Sequence, residues 1–170
     1  ARDTWPAEIE KWDHLQGLDI SVIVGDTKTR IAALHHPAMI YVINRENIKW
    51  LVEYYEKKSN DILISCGGGE MMCETMNFVD FEKIKSAEPK WYMGYSDNTN
   101  FTFLLSTICD TAAVYGPCAG TFGMEPWHES LSDTMDVLTG KTKKLHSYPS
   151  WEKDDLKDEG NPYVPYNVTD

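Results

Sequence analysis

Five short runs rich in β-branched and aromatic residues, DISVIVG at 19–25, MIYVINREN at 39–47, DILISCGGGE at 61–70, KWYMGY at 90–95 and AAVYGP at 112–117, alternate with stretches of helical spacing. That alternation constrains the fold most. Short apolar strands separated by helices return to pair in parallel, with the helices covering the sheet. Behind Pro6, residues 6–16 place Ile9, Trp12 and Leu15 at three-residue steps on one helical face. Thr27 caps a second helix over 27–35, which Pro37 ends, and 48–58, about 98–109 and 130–141 are further helical stretches. Another helix begins near 71–76. Ser130 or Ser132 is the expected cap of the 130–141 helix and Gly140 its stop. The expected class is α/β, a three-layer, mostly parallel, Rossmann-like sheet flanked by helices. From Lys141 onward the sequence is charged, Pro-containing and weakly periodic, and it reads as an edge strand plus a connecting segment.

The 170 residues suffice for one ordinary domain with a real core, or for two small units that depend on each other. They carry 27 acidic against 16 basic residues, a net charge of −11. Phosphate backbones would repel such a chain unless a dense basic patch intervened, and none stands out, so nucleic acid is not an expected partner. Cys66, Cys73, Cys109 and Cys118 form no C-x-x-C pair and have no His at ligand spacing. They read as buried free thiols in a reducing compartment. No apolar run reaches the ~20 residues of a membrane span, and ARDTWPAEIEKW has no signal-peptide h-region, so a cytoplasmic protein without a membrane partner is expected.

Residues 91–108, WYMGYSDNTNFTFLLSTI, run from a strand through a polar turn into a helix, with Ser96 at the turn. By local sequence Ser96 is a helix cap, its hydroxyl satisfying a first-turn amide. By topology it is a nucleophile, because strand, sharp turn and helix form an elbow that projects a hydroxyl beside an oxyanion-binding amide. Gly94 matches the elbow signature, but Asn98 stands where its second glycine belongs. Gly67, Gly68 and Gly69 follow a strand, where exposed amides can gather around an anion, although three glycines also make an ordinary tight turn. No Walker or dinucleotide fingerprint surrounds them. Of His14, His35, His36, His128 and His146, His128 sits with Glu125 and Glu129 in the only such cluster with acids in the second half of the chain, and it reads as a solvent-facing loop. Glu152, Asp154, Asp155, Asp158 and Glu159 read as a solvated surface. Trp127 and Trp151 either line a cleft or pack in the core, and packing is the reading preferred.

Residues 61–170 resemble the N-terminal part of the LD-carboxypeptidase family of serine peptidases, which includes murein tetrapeptide carboxypeptidases and microcin C self-immunity proteins. The segments that carry the resemblance are ILISCGGGE, VDFEKIKSAEPKWYMGYSDNTN and VYGPCAGTFGMEPWHESLSDTMDVLTG, above all G-Y-S-D-x-T. It implies that Ser96 is the nucleophile, and that the Asp97 amide forms the oxyanion hole together with Gly68 or Gly69. The implied reaction cleaves the amide between an L-residue and a D-amino acid in murein peptides, without metal or cofactor, during peptidoglycan recycling. The expected partner is a small muropeptide-like peptide, with a homodimer left open. In the family an Arg precedes the two glycines, where this chain has Gly67. The family's catalytic Glu and His lie in a C-terminal domain expected to begin about where this sequence ends, so the chain alone is expected to be incomplete and inactive. His128 and Glu125 fall in a segment with another role.

Residues 1–58 resemble something else, part of the first RecA-like lobe of phage-type SNF2/DEAD-box helicases. ARDTW is similar to the segment after motif Ia and IYVINREN to motif Ib. No G-K-[ST] and no D-E flank them, so nothing here would hold a triphosphate. The expected organisation is a helicase-like fragment over 1–58 and a carboxypeptidase-like domain over 61–170. The alternatives of another class are a helicase-derived nucleic-acid-binding fragment and a non-catalytic chimeric remnant.

Overall fold

The computed structural model describes residues 40–43, 51–65, 67–70, 72–158, 161 and 163–169. The helices expected at 6–16 and 27–35 and the strand at 19–25 lie outside them. Four strands, β1 (Ile40–Ile43), β2 (Ile62–Ser65), β3 (Trp91–Gly94) and β4 (Val114–Tyr115), form one sheet in the order β1-β2-β3-β4. Every neighbouring pair is parallel, with Ile40 opposite Ile62, Ile64 opposite Met93 and Gly94 opposite Tyr115. A helical stretch follows each strand, as the alternation predicts: α1 (Leu51–Glu56), α2 (Met72–Thr75) with α3 (Phe81–Ser86), α4 (Thr99–Thr107) and α5 (Glu129–Leu138).

Because successive strand residues point to opposite faces, β2 and β3 feed two cores. Leu63 and Tyr92 join Tyr55 of α1, Ile84 of α3 and Phe101 and Leu105 of α4 on one face. Ile62, Ile64 and Met93 meet Phe122 and, from α5, Leu131, Met135 and Leu138 on the other. Helices on both sides of a parallel sheet make the three layers of an α/β fold. Tyr92 meets Phe101 edge-on, with ring centroids 4.6 Å apart. Each fully buried aliphatic or aromatic side chain contributes about 1.5–3 kcal/mol, so these two clusters hold the sheet in place.

Three local features differ from the sequence reading. The short α3, with Ile84 its one buried residue, was not expected; Asp80 starts it by accepting the Lys83 N–H at 3.1 Å. Six residues are too few for periodicity to register. α5 is capped by neither Ser130 nor Ser132 but by His128, whose Nδ1 accepts the Ser130 N–H at 3.2 Å, while Gly140 ends it in the left-handed region (φ +73°) as expected. The tail is no edge strand of the main sheet, since β5 (Trp151–Glu152) and β6 (Val168–Thr169) pair antiparallel in a sheet of their own.

Lys90, just ahead of β3, is buried and donates its Nζ hydrogens to the carbonyls of Lys57 and Asn60 at 2.5 and 2.6 Å. Burial holds its ammonium below the ordinary lysine range. Among the described residues no helix is long and apolar enough to cross a membrane.

Candidate active site

Parallel neighbours end on the same edge of a sheet, and loops at the carboxyl ends of such strands build the sites of α/β folds. The Gly67–Gly69 turn leaves β2 there, and Tyr95–Ser96 leaves β3 beside it. Ser96 has φ +61°, a left-handed conformation that costs a non-glycine residue about 1–2 kcal/mol. That reversal turns the extended Tyr95 into the 3-10 turn Ser96–Asn98, which runs directly into α4. Ser96 is not a side-chain cap. Tyr95 and Asn98 hold the two N-cap positions, and neither makes a side-chain cap bond. The Ser96 residue is exposed, and its hydroxyl has no hydrogen-bond partner among the described residues.

Gly68 is brought against this hydroxyl. A Cβ on Gly68 would lie 3.2 Å from the Ser96 Cβ and 3.3 Å from its Oγ, so the absence of a side chain lets the turn's backbone approach the serine. Gly69 follows it, also exposed. Asp97 was expected to act through its amide, and its carboxylate has a further role. Both oxygens accept the Met72 N–H, at 2.9 and 3.1 Å, and Oδ1 also accepts from Asn100 Nδ2 at 3.2 Å.

Sequence reasoning treated Asn98 only as a missing glycine. In the structure Asn98 is fully buried; its Oδ1 accepts from the Tyr92 hydroxyl at 2.6 Å and its Nδ2 donates to the carbonyls of Gly67 and Tyr95, both at 3.0 Å. Ser65 was missed as well, and its Oγ donates to the same Gly67 carbonyl at 2.9 Å. The only hint of either was polarity at positions flanking strands.

Beside the elbow opens a cleft of about 400 Å³, lined by Tyr95, Tyr115, Glu152, Asp155, Lys157 and Tyr166 among others. Burial, and then the Glu152 carboxylate, push the Tyr166 phenol up to about 12. Burial also raises Tyr95 and the buried Cys118 thiol.

His128 is used at the α5 cap, with its ring edge-on to Tyr148 and Tyr166 at 5.6 and 5.7 Å. His146 lies 3.8 Å from Asp133, and no hydrogen bond joins either histidine to Ser96. His14, His35 and His36 lie outside the described residues. Glu125 is exposed, and its amide donates to the Tyr163 carbonyl at 2.8 Å.

In the tail, Asp155 accepts the Lys157 N–H, Asp158 the Asn161 N–H and Glu152 the Asn167 N–H. Asp154 is exposed and Glu159 lies outside the described residues. No group of acids, histidines and cysteines among the described residues could hold a metal. Cys109 and Cys118 are buried as expected, but Cys73 is exposed, and Cys66 lies outside the described residues. Trp127 packs against Phe122 and donates to its carbonyl at 2.8 Å, whereas Trp151 is 59% exposed, against the core position expected for it.

Residues 5–116 match the family described as LD-carboxypeptidase N-terminal domain. The match takes in residues on both sides of position 60, and the comparisons lend no support to a helicase resemblance of residues 1–58. The chain is also 43% identical over 54 residues to the protein p41 of Acyrthosiphon pisum secondary endosymbiont phage 1. That stretch covers 31% of this chain and 12% of p41.

Proposed function

The chain belongs to the LD-carboxypeptidase N-terminal domain family, and from that premise we propose that it is the nucleophile-bearing part of a serine carboxypeptidase acting on murein peptides. The observation that carries this reading is Ser96 itself, held at φ +61° at the end of β3 with Gly68 against its hydroxyl. A strained serine between a strand and a helix has no evident packing purpose, and strain of this kind collects at functional positions.

In the proposed reaction Ser96 Oγ attacks the carbonyl carbon of the amide between an L-residue and a terminal D-amino acid. A base takes the Ser96 proton, and the Asp97 and Gly68 amides hold the oxyanion of the tetrahedral intermediate. Collapse breaks the C–N bond, and the protonated base gives its proton to the departing amine. Water then hydrolyses the acyl-enzyme by the same route in reverse order. Gly69 is a further candidate donor of the oxyanion hole.

The base and its orienting acid are taken to be a His and a Glu from a C-terminal domain of the family, so residues 1–170 are expected to turn over little alone. Without a base, the remaining rate would be the roughly 10³–10⁴ over water that an oxyanion hole and binding leave behind. Recycling of cell-wall peptides in the cytoplasm is the setting that fits such a substrate.

The experiment is release of D-alanine from a murein tetrapeptide by the chain, with and without a separately produced C-terminal domain of the family. Turnover is expected only in the mixture, and Ser96→Ala is expected to abolish it. Undiminished release by the Ser96→Ala mixture overturns the assignment.

A further inference from the structure

We infer that Asn98 is a positioning residue for the oxyanion hole, acting through the carbonyl of Gly67. That carbonyl receives two donors, Ser65 Oγ at 2.9 Å and Asn98 Nδ2 at 3.0 Å, which use both of its lone pairs. Asn98 is fully buried, so the oxygen is held toward the interior. The Gly67–Gly68 peptide is trans, and across a trans peptide the carbonyl and the following N–H point in opposite directions. Fixing the Gly67 oxygen inward therefore turns the Gly68 N–H outward, on the exposed side where Ser96 stands. Among the described residues that N–H has no acceptor of its own.

Two glycines in succession would otherwise flip this peptide easily, since glycine populates positive and negative φ about equally. A flipped peptide would present an oxygen lone pair to the developing oxyanion and repel it. Asn98 is itself prevented from turning over. The Tyr92 hydroxyl donates to its Oδ1 at 2.6 Å, and its second Nδ2 hydrogen goes to the Tyr95 carbonyl at 3.0 Å, so each end of the amide has a fixed partner. At the far end of the turn the Asp97 carboxylate takes the Met72 N–H. Consecutive residues of the elbow thus anchor both ends of the glycine turn that faces Ser96. This inference rests on Ser96 being the nucleophile.

Three variants of the full chain, each mixed with the separately produced C-terminal domain that supplies the base, test it. Asn98→Asp keeps the acceptor that faces Tyr92 and replaces the donor facing Gly67 by an oxygen. Ser65→Ala removes the other donor, and Ser65→Thr keeps it. The first readout is phosphonylation by a fluorophosphonate probe, in which the Ser96 Oγ–P bond forms as P–F breaks, fluoride leaves and the proton passes to solvent. The modified residue is located by peptide mass spectrometry.

The saturating rate is expected to fall about tenfold or more in Asn98→Asp and in Ser65→Ala, with the half-saturating probe concentration unchanged. Ser65→Thr is expected to react as the unmodified chain does. The second readout is magnetic resonance of the Gly67 carbonyl carbon and the Gly68 amide, both expected to shift in the two impaired variants. Should Asn98→Asp fail to fold by circular dichroism, the Ser65 pair decides alone.

Unchanged rates in folded variants, or an equal fall in Ser65→Thr, overturn the inference. If the unmodified chain takes no label at Ser96 even with the C-terminal domain present, the nucleophile assignment fails. The resonances then decide the positioning, and an unmoved Gly68 signal overturns that too.

Discussion

Gly94 and Asn98 approach so closely that a Cβ on Gly94 would lie 2.7 Å from the Asn98 Cγ. The glycine two residues before the serine exists to admit the asparagine two residues after it. Gly94→Ala must displace a fully buried amide and its hydrogen bonds with Tyr92, Gly67, Tyr95 and Cys118. Overpacking of this kind costs about 1–3 kcal/mol. A urea titration should show a lowered midpoint with little change in slope, and an unchanged midpoint would mean that the elbow is far softer than these distances imply.

The left-handed backbone of Ser96 separates two substitutions that remove the same hydroxyl. Ser96→Gly relieves the strain, whereas Ser96→Ala keeps it. The glycine variant should therefore be the more stable of the two by about 1 kcal/mol, less the backbone entropy that glycine loses on folding. Calorimetry of the pair settles the point. An alanine variant at least as stable would show that the backbone at 96 carries no strain.

Asp97 links the elbow to α2 through its carboxylate. Asp97→Ala leaves the Met72 N–H without this acceptor and releases Asn100 Nδ2 from it. Hydrogen bonds to charged groups contribute about 1.5–3 kcal/mol, and partial exposure here reduces that to about 1–2 kcal/mol. Limited proteolysis should begin to cut near residues 67–70, because the turn has lost one of its two anchors. If the variant matches the unmodified chain in both midpoint and cleavage pattern, the tie is idle.

Tyr148 and Tyr166 should resist ionisation most clearly. Burial, then the hydrogen bond to Asp133 at 2.6 Å, push the Tyr148 phenol up to about 12, and burial with Glu152 does the same to Tyr166. A pKa raised in the folded state means that the protonated phenol is favoured there. The associated stability is complete below the unfolded value near 10 and is lost as pH rises from 10 through about 12. Spectrophotometric titration should show at least two late phenols, together with a falling unfolding temperature in that window. Asp133→Asn should bring one of them down. Uniform titration near 10 in the folded protein would contradict these environments.

Much of the layout was legible because it rests on local chemistry. β-branched runs and Gly or Pro stops mark β2, β3 and β4 within a few residues, and the glycine at −2 with a serine before a helix marks the elbow. α3 escaped because six residues show no period, and the α5 cap was misplaced because the more familiar Ser130 stands two residues beyond His128. The separate β5–β6 sheet was beyond reach, since a strand of two residues carries no pattern of its own. The site was half readable. Ser96, Asp97 and the glycines lie in recognisable segments, while Ser65 and Asn98 look like any polar residues in a list.

What the sequence by itself determined was the alternation of strands and helices, the acidic balance and the strand–turn–helix around Ser96, all consequences of side-chain shape and backbone preference over a few neighbouring residues. Only the tertiary structure decided that the turn after β2 meets the elbow after β3, and that Asn98 and Ser65 converge on the Gly67 carbonyl. Those contacts join residues up to 31 positions apart. Their existence depends on parallel register and on which face each strand buries, which no local stretch of chain records.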